Sequence, residues 1–323
     1  MKSKFKKSIF VTGHKGLVGS SFVRLIKNTN KFRILTVDRK KLDLENQKEV
    51  KKFFSKHKPD YVINAAALAG GIGANEKYCA DFIEKNLVIQ HNVIKACYEY
   101  KVKKMLFLGS SCIYPRLCKQ PMHEKELLGG ILEKTNEAYA IAKIAGLKMC
   151  GFYNKQYKTD FRTVMPTNIF GKNDKYSLYD SHVIPALFLK FFIAKKFNKN
   201  IVNLWGNGKA IREFIYVDDM VRISMDIFLK PKDQYNRYLK KNDIEFFNIG
   251  SGHEFTINKL AQKIKKLSNY KGKIKFDKKM KNGTPRKLLN IQNIKKFLGG
   301  KYPISNFDNS LKVSYQDFLK NSV

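Results

Sequence analysis

The 323-residue sequence predicts an α/β protein, a doubly wound parallel sheet that carries a smaller α/β lobe. Three observations predict it. Short apolar runs alternate with longer amphipathic segments through the first half of the chain. A glycine-rich loop follows the first apolar run directly. Each run ends in small or polar residues, as strands of an open parallel sheet do where they face a ligand.

The elements follow in order. Ser8-Ile-Phe-Val-Thr12 reads as the first buried strand, Phe32 to Val37 as the second, Tyr61 to Asn64 as a later one and Lys104 to Leu108 as another. Ser20 to Asn28 and Gln47 to His57 read as helices between them. The segment from Asn86 to Tyr100 sets Leu87, Val88, Ile94 and Ala96 at helical spacing. From about Gly171 the pattern loosens into loops, short helices and strands, with Phe246 to Ile249 a late strand. The expectation is a Rossmann-type dinucleotide-binding domain over residues 1–170, rejoined by segments near 213–230 and 245–250. A substrate-binding lobe takes most of residues 171–323.

Composition narrows the partners. The formal charge is +36, yet only nine of the 63 basic residues are arginine, the side chain on which base recognition leans. The lysines are spread evenly and form no arm or finger, so nucleic acid is not expected; a basic surface still attracts anionic small molecules. No run approaches the roughly 20 apolar residues of a membrane-spanning helix. The apolar stretch after the basic start Met1-Lys2-Ser3-Lys4 is too short for a signal peptide. Five cysteines, odd in number and without a C-x-x-C pair, suit a reducing compartment, so a cytoplasmic protein is expected. No metal-ligand spacing is evident.

Gly13-His14-Lys15-Gly16-Leu17-Val18-Gly19 ends the first strand and opens a helix. Glycines there permit a tight turn and let backbone approach a pyrophosphate at the helix N-terminus. At the end of the second strand Asp38 can accept hydrogen bonds from an adenosine ribose, which favours NAD. Arg39, Lys40 and Lys15 can instead pair with a 2′-phosphate, and three cations around one carboxylate tilt the reading to NADP(H).

Tyr139 and Lys143 lie four apart in an alanine-rich helical segment, Glu137 to Tyr153, so phenol and ammonium share one face. The ammonium is expected to lower the tyrosine pKa toward working pH. Ser110, in Leu108-Gly109-Ser110-Ser111 just past a predicted strand, can hydrogen-bond a carbonyl that Tyr139 protonates. Serine, tyrosine and lysine in this order and context resemble the triad of the short-chain dehydrogenases and reductases. Asn64-Ala65-Ala66-Ala67, at another strand end, resembles the cofactor-contacting turn of the same group.

Longer blocks resemble one family within that group. Ala69-Gly-Gly-Ile-Gly-Ala-Asn75, Leu108-Gly-Ser-Ser-Cys-Ile-Tyr-Pro115, Lys119-Gln-Pro121, Tyr139 to Gly146 and Val164-Met-Pro-Thr-Asn168 are similar to GDP-L-fucose synthases. So are Ser181-His-Val-Ile-Pro-Ala186, Trp205-Gly206, Arg212-Glu-Phe214 and Gly283-Thr-Pro-Arg-Lys-Leu-Leu289. The resemblance covers residue 11 to about 290. It implies epimerisation at carbons 3 and 5 of a GDP-linked 4-keto sugar, followed by NADPH reduction at carbon 4. Cys112 is then the base and His182 the acid. Leu108, Gly109, Lys143, Pro166, Thr167, Asn168, Ile169 and His182 contact the cofactor. Ser110, Ser111, Cys112, Asn168, Val183, Lys190, Trp205, Arg212, Asn282 and Arg286 contact the substrate. The family's aspartate before Gly283 is here Asn282, and the loop Lys172 to Asp180 departs from the family's pattern. The resemblance also implies a homodimer through the helices that hold Asn86 and Glu137. The rival reading keeps fold and cofactor but reduces only carbon 4 of a related GDP-4-keto sugar, such as a heptose.

Overall fold

A computed structural model describes residues 6–321, so the basic start Met1 to Lys4 lies outside the described residues. Six parallel strands form the main sheet: β1 (Ser8–Thr12), β2 (Arg33–Leu35), β3 (Tyr61–Asn64), β4 (Lys104–Leu108), β5 (Phe161–Pro166) and, much later in the chain, β9 (Phe247–Ile249). Their spatial order is β2-β1-β3-β4-β5-β9. The chain turns to one side of β1 to make β2 and to the other to make β3, so the topological switch lies beside β1, where such sheets bind ligands. The glycine loop sits at that point.

Helices cover both faces. On one face α2 (Gln47–His57), α4 (Cys79–Glu99) and α5 (Glu137–Tyr157) bury Val50, Phe54, Val93, Ile94, Leu147 and Cys150 against Phe10, Val62, Met105 and Phe107. On the other, α1 (Leu17–Thr29) packs beside α7 (Val217–Leu229) over Ile9, Val11, Ile63 and Leu106. Two later helices, α8 (Lys232–Asn242) and α10 (Gln292–Phe297), join this layer through Tyr235, Ile294 and Phe297. The short α3 (Ile72–Lys77), whose Ile72 and Asn75 line the cavity, stands outside these layers.

The second half builds its own core. Strands β6 (Asn168–Phe170), β8 (Ile211–Tyr216), β10 (Glu254–Thr256) and β12 (Arg286–Lys287) form one sheet, while β7 (Ile201–Trp205) pairs with β11 (Lys273–Asp277). Helices α6 (Val183–Lys196), α9 (Ile257–Leu267) and α11 (Phe307–Asn321) close over Phe188, Phe191, Leu260, Ile264 and Phe318.

Strands β1, β3 and β4 and helix α2 run over the residues expected of them. Helices α1 and α4 begin earlier than Ser20 and Asn86, β9 begins one residue after Phe246, and two strands depart further. β2 is shorter than Phe32 to Val37 because it is an edge strand, held from one side by three residues of β1. The fully buried β5 was hidden by its polar members: Arg162 and Thr163 interrupt the apolar run. Arg162 is tolerated at 0% exposure because its guanidinium is bidentate on Asp160, at 2.8 and 3.0 Å.

Candidate active site

A cavity of about 670 Å³ opens between the carboxyl ends of the main strands and the second sheet. Its floor is the glycine loop. Gly13 has φ +63°, and its carbonyl accepts the Gly16 N–H at 3.0 Å, closing a turn that only glycine enters without strain. A Cβ on Gly19 would lie 2.2 Å from Gly13 O, so the helix start is seated directly on the turn. Gly16 is the N-cap of α1 and carries no capping side chain, which leaves backbone N–H groups at the helix start for an anion. This glycine cradle fits a dinucleotide pyrophosphate. Lys15, Leu17, Val18, Ala65 and Leu108 to Gly109 line the same trough, followed by Pro166, Thr167, Asn168 and Ile169 where β5 passes into β6.

At the adenosine end Lys15 Nζ lies 2.7 Å from Asp38 and His14 Nε2 3.3 Å. The Lys15 ammonium holds the Asp38 carboxyl below its usual range. Arg39 is turned to Glu45 at 2.6 Å. Neither Arg39, Asp38 nor His14 lines the cavity. Asn64 and Ala66 stand behind the wall rather than on it: the Asn64 amide oxygen accepts from Thr12 Oγ1 at 3.0 Å, and the Ala66 N–H donates to the same hydroxyl at 2.9 Å. They shape the turn that presents Ala65.

The reactive groups come from two elements in contact. Ser110 caps a short 3-10 turn, Ser111–Ile113, by accepting the Cys112 N–H at 3.3 Å, which fixes Ser110 and Cys112 side by side at the end of β4. Helix α5 lies close against β4 and α4 because Gly146 has no side chain; a Cβ there would meet Phe107 at 2.4 Å and Gln90 at 2.5 Å. That approach brings Tyr139 and Lys143 into the cavity. The Lys143 ammonium donates to Leu108 O at 2.9 Å and lies 5.7 Å from the Tyr139 ring centroid. Burial pushes the Lys143 pKa down to about 8.

The expectation of a lowered tyrosine pKa is corrected here. Burial and the neighbouring Cys112 sulfur push Tyr139 above its usual range, since Lys143 faces the ring and a carbonyl rather than the phenol oxygen.

Cys112 Sγ accepts from Asn136 Nδ2 at 3.2 Å and from Lys287 Nζ at 3.6 Å. His182 lines the cavity at the N-cap position of α6; it is open to the cavity space yet enclosed by protein on the larger scale, and that enclosure lowers its pKa. Val183 follows it along the same wall. Lys190 Nζ lies 5.5 Å from the Trp205 ring and donates to Asn203 O, so it supports the indole that closes the far end. Arg212 lines the cavity with its guanidinium steadied by Ile211 O at 2.9 Å and Asn282 O at 3.0 Å. Burial lowers its pKa to about 10, which leaves it charged at neutral pH. The Asn282 amide accepts the Asn207 N–H at 2.9 Å and so braces the turn beside Trp205.

Arg286 is a second correction. It is absent from the cavity and bidentate on Glu254, at 3.0 and 2.7 Å, because successive strand residues face opposite ways. Its neighbour Lys287 faces inward instead, in parallel register with Arg212. Lys287, Asn136 and Asp174 were all missed by sequence reasoning. Lys287 lies inside a motif that was recognised, but the side on which a two-residue strand shows each lysine or arginine is set by pairing. Asp174 sits in the departing loop; burial pushes its carboxyl up to about 7. Nothing in the local sequence marks it.

Among the described residues there is no cluster of His, Cys, Asp or Glu that could hold a metal ion, and no helix long and apolar enough to cross a membrane.

Comparison with known proteins agrees with this geometry. The profile of the NAD dependent epimerase/dehydratase family matches residues 9–250. GDP-L-fucose synthase of Escherichia coli (strain K12) is 44% identical over 316 residues, 98% of each chain. GDP-L-fucose synthase 1 of Arabidopsis thaliana is 45% identical over 97% of this chain and 93% of its own. Among solved structures, a GDP-6-OMe-4-keto-L-xylo-heptose reductase from C. jejuni superposes with TM-score 0.89 at 32% identity, covering 98% of this chain and 99% of that one. A GDP-L-fucose synthetase from Naegleria fowleri bound to NADP gives 0.87 at 26% identity, over 100% and 97%. The chain belongs to the NAD dependent epimerase/dehydratase family and, within it, to the GDP-L-fucose synthases.

Proposed function

We propose that the protein is an NADPH-dependent epimerase and reductase that converts GDP-4-keto-6-deoxy-D-mannose to GDP-L-fucose. The observation that carries the proposal is a single cavity that joins Ser110, Tyr139 and Lys143 to Cys112 and His182, with Arg212 as a cation for a diphosphate. The glycine loop of Gly13 to Gly19, with Lys15, holds the dinucleotide.

Ser110 and Tyr139 donate hydrogen bonds to the carbon-4 oxygen. A ketone there acidifies the protons on carbons 3 and 5, and the two hydroxyls stabilise the enolate left when one is removed. Cys112, as thiolate, takes the proton from one face. His182 returns a proton from the other, and the burial that lowers its pKa makes its protonated form the stronger acid. Solvent then takes the proton from Cys112 and restores the one His182 gave. Bound NADPH supplies the hydride that reduces carbon 4. Tyr139 delivers the proton to the resulting alkoxide, with the Lys143 ammonium as the positive charge beside its ring, 5.7 Å from the centroid.

The division of labour follows the chain. Residues 1–170, with 213–230 and 245–250, serve the cofactor, and most of 171–323 serves the sugar nucleotide. Two copies pair through the outer faces of α4 and α5, where Tyr98, Ile141, Phe152 and Tyr157 are exposed. Light scattering on the purified protein tests this pairing. The five cysteines are free, which fits a cytoplasmic setting.

The rival reading, reduction at carbon 4 alone on a GDP-4-keto heptose, leaves Cys112 and His182 without work. The heptose reductase from C. jejuni is also the less similar chain, at 32% identity against 44% for the E. coli synthase. The test is the product formed with NADPH and GDP-4-keto-6-deoxy-D-mannose in deuterated water, read by NMR. GDP-L-fucose carrying deuterium at carbons 3 and 5 is expected. A reduced, unlabelled sugar overturns the epimerase half in favour of the rival.

A further inference from the structure

Lys287 is a buried ammonium, 8% exposed, with no carboxylate within salt-bridge distance among the described residues. The one hydrogen bond its side chain makes among them runs to Cys112 Sγ, at 3.6 Å. A charge taken out of water needs a counter-charge, and the sulfur is the group placed to supply it. The same sulfur accepts a second N–H from Asn136, at 3.2 Å. A sulfur that faces two donors is arranged as an acceptor, which is the role of a thiolate.

The lysine is held from its backbone. Lys287 pairs in register with Arg212 of β8, Leu288 N–H donates to Gln120 Oε1 at 3.0 Å, and Leu289 N–H to buried Glu213 Oε2 at 3.0 Å. Met122 N–H bonds Leu288 O at 2.7 Å. These bonds fix the backbone from which the ammonium reaches the sulfur.

We propose that Lys287 is a positioning residue that keeps Cys112 as a reactive thiolate, with Asn136 as the second donor to the sulfur. The assignment rests on the reading of Cys112 as the epimerisation base. The other charged or titratable groups that bear on this corner are Arg212 on β8 and Tyr139 on α5, both felt by Cys112, and Cys118 on the loop beyond the 3-10 turn, felt by Lys287. Glu133 also lines the cavity; one carboxylate oxygen lies 2.9 Å from Arg116 Nε, the other accepts from Thr135, and its charge is felt by Arg212 rather than paired with Lys287. Arg212 spends two of its N–H groups on backbone carbonyls, so Lys287 is the cation aimed at the sulfur.

The experiment is alkylation of the whole, substrate-free protein by iodoacetamide at pH 7, followed peptide by peptide with mass spectrometry. Lys287→Met and Lys287→Gln are compared with Lys287→Arg and the unsubstituted protein, each first shown to bind NADPH by fluorescence. Exposed Cys79 serves as the internal reference. Cys118 does not, because Lys287 also acts on it. Loss of the ammonium is expected to slow alkylation of Cys112 about ten- to hundredfold, with Cys79 unchanged and Arg restoring most of the rate. Deuterium incorporation at carbons 3 and 5 should fall by a similar factor.

Cys112 alkylated at the unsubstituted rate in both the Met and Gln variants overturns the proposal, and a raised KM alone would then assign Lys287 to the diphosphate. Slowed alkylation in variants of a protein that exchanges no deuterium even unsubstituted keeps the Lys287–Cys112 pairing and sinks the epimerase reading instead.

Discussion

Gly19→Ala should weaken NADPH binding and destabilise the fold, although a single methyl group is all it adds. That methyl would stand 2.2 Å from Gly13 O, 2.6 Å from Gly13 C and 2.9 Å from His14 Cα. Ordinary contact begins at about 3.5 Å, so the turn must withdraw by more than about 1 Å. All three neighbours are backbone, and no side chain can swing away. Overpacking of this kind costs roughly 1–3 kcal/mol. If the turn absorbs the shift, affinity falls by roughly 5- to 150-fold. Gly16→Ala is the comparison, because its Cβ would meet Gly13 O at an ordinary 3.5 Å. The assays are thermal unfolding without cofactor and titration by NADPH fluorescence. Gly19→Ala should melt lower and bind more weakly, while Gly16→Ala keeps its melting temperature whatever it does to binding. A Gly19→Ala protein with unsubstituted affinity and melting temperature would refute the argument that the helix start rests on the turn.

Three further outcomes are expected. Lys15→Glu should lower the preference for NADPH over NADH by at least about tenfold in kcat/KM, because Lys15 is the cation that covers Asp38. Lys143 must be charged to act and titrates near 8, so kcat should decline as pH rises through about 8; a flat alkaline limb counts against its role. The sign of the linked stability is opposite. Between pH 8 and 10.5 the unfolded lysine binds more proton than the folded one, so stability from this group rises with pH across that window. Arg162→Met should destabilise the protein by about 3–5 kcal/mol in urea unfolding, since it strands buried Asp160 with only Lys104 at 3.6 Å.

Much of the first half was legible because its signals are local. An apolar run, a glycine turn and a helical repeat sit within a few residues of each other, and β1, β3 and β4 fall where those runs predict. Where tertiary pairing decides, the sequence was silent. Arg162 made a buried strand look polar, and only the folded chain shows that Asp160 neutralises it. Arg286 and Lys287 are alike as letters; the pairing of β12 with β8 sends one to Glu254 and the other to Cys112. The same distinction explains Tyr139 and Lys143. Their spacing puts them on one face, but which atom the ammonium meets depends on how deeply α5 sinks against β4, and that depth is set by Gly146.

The segment Arg212-Glu213-Phe214 shows how alternation along one strand serves two ends. Arg212 and Phe214 face the cavity, and Glu213 points behind it with 0% exposure. Its Oε1 accepts from Ser251 and Gly252 N–H, each at 2.8 Å, and Oε2 from Leu289 N–H at 3.0 Å. Its backbone carbonyl takes Asn168 Nδ2 at 2.7 Å and Thr167 Oγ1 at 3.2 Å. One residue thus ties the turn after β5, the loop after β9 and the strand that carries Lys287. Glu213→Gln keeps the shape but turns one acceptor into a donor that must face a backbone N–H. An unmet buried donor costs roughly 1–3 kcal/mol, and the segment on the amide side should give way. If Leu289 is released, Lys287 loses its aim, so deuterium exchange should fall further than NADPH affinity does. An equal fall in both would mean that Glu213 supports the fold as a whole rather than this corner of the cavity.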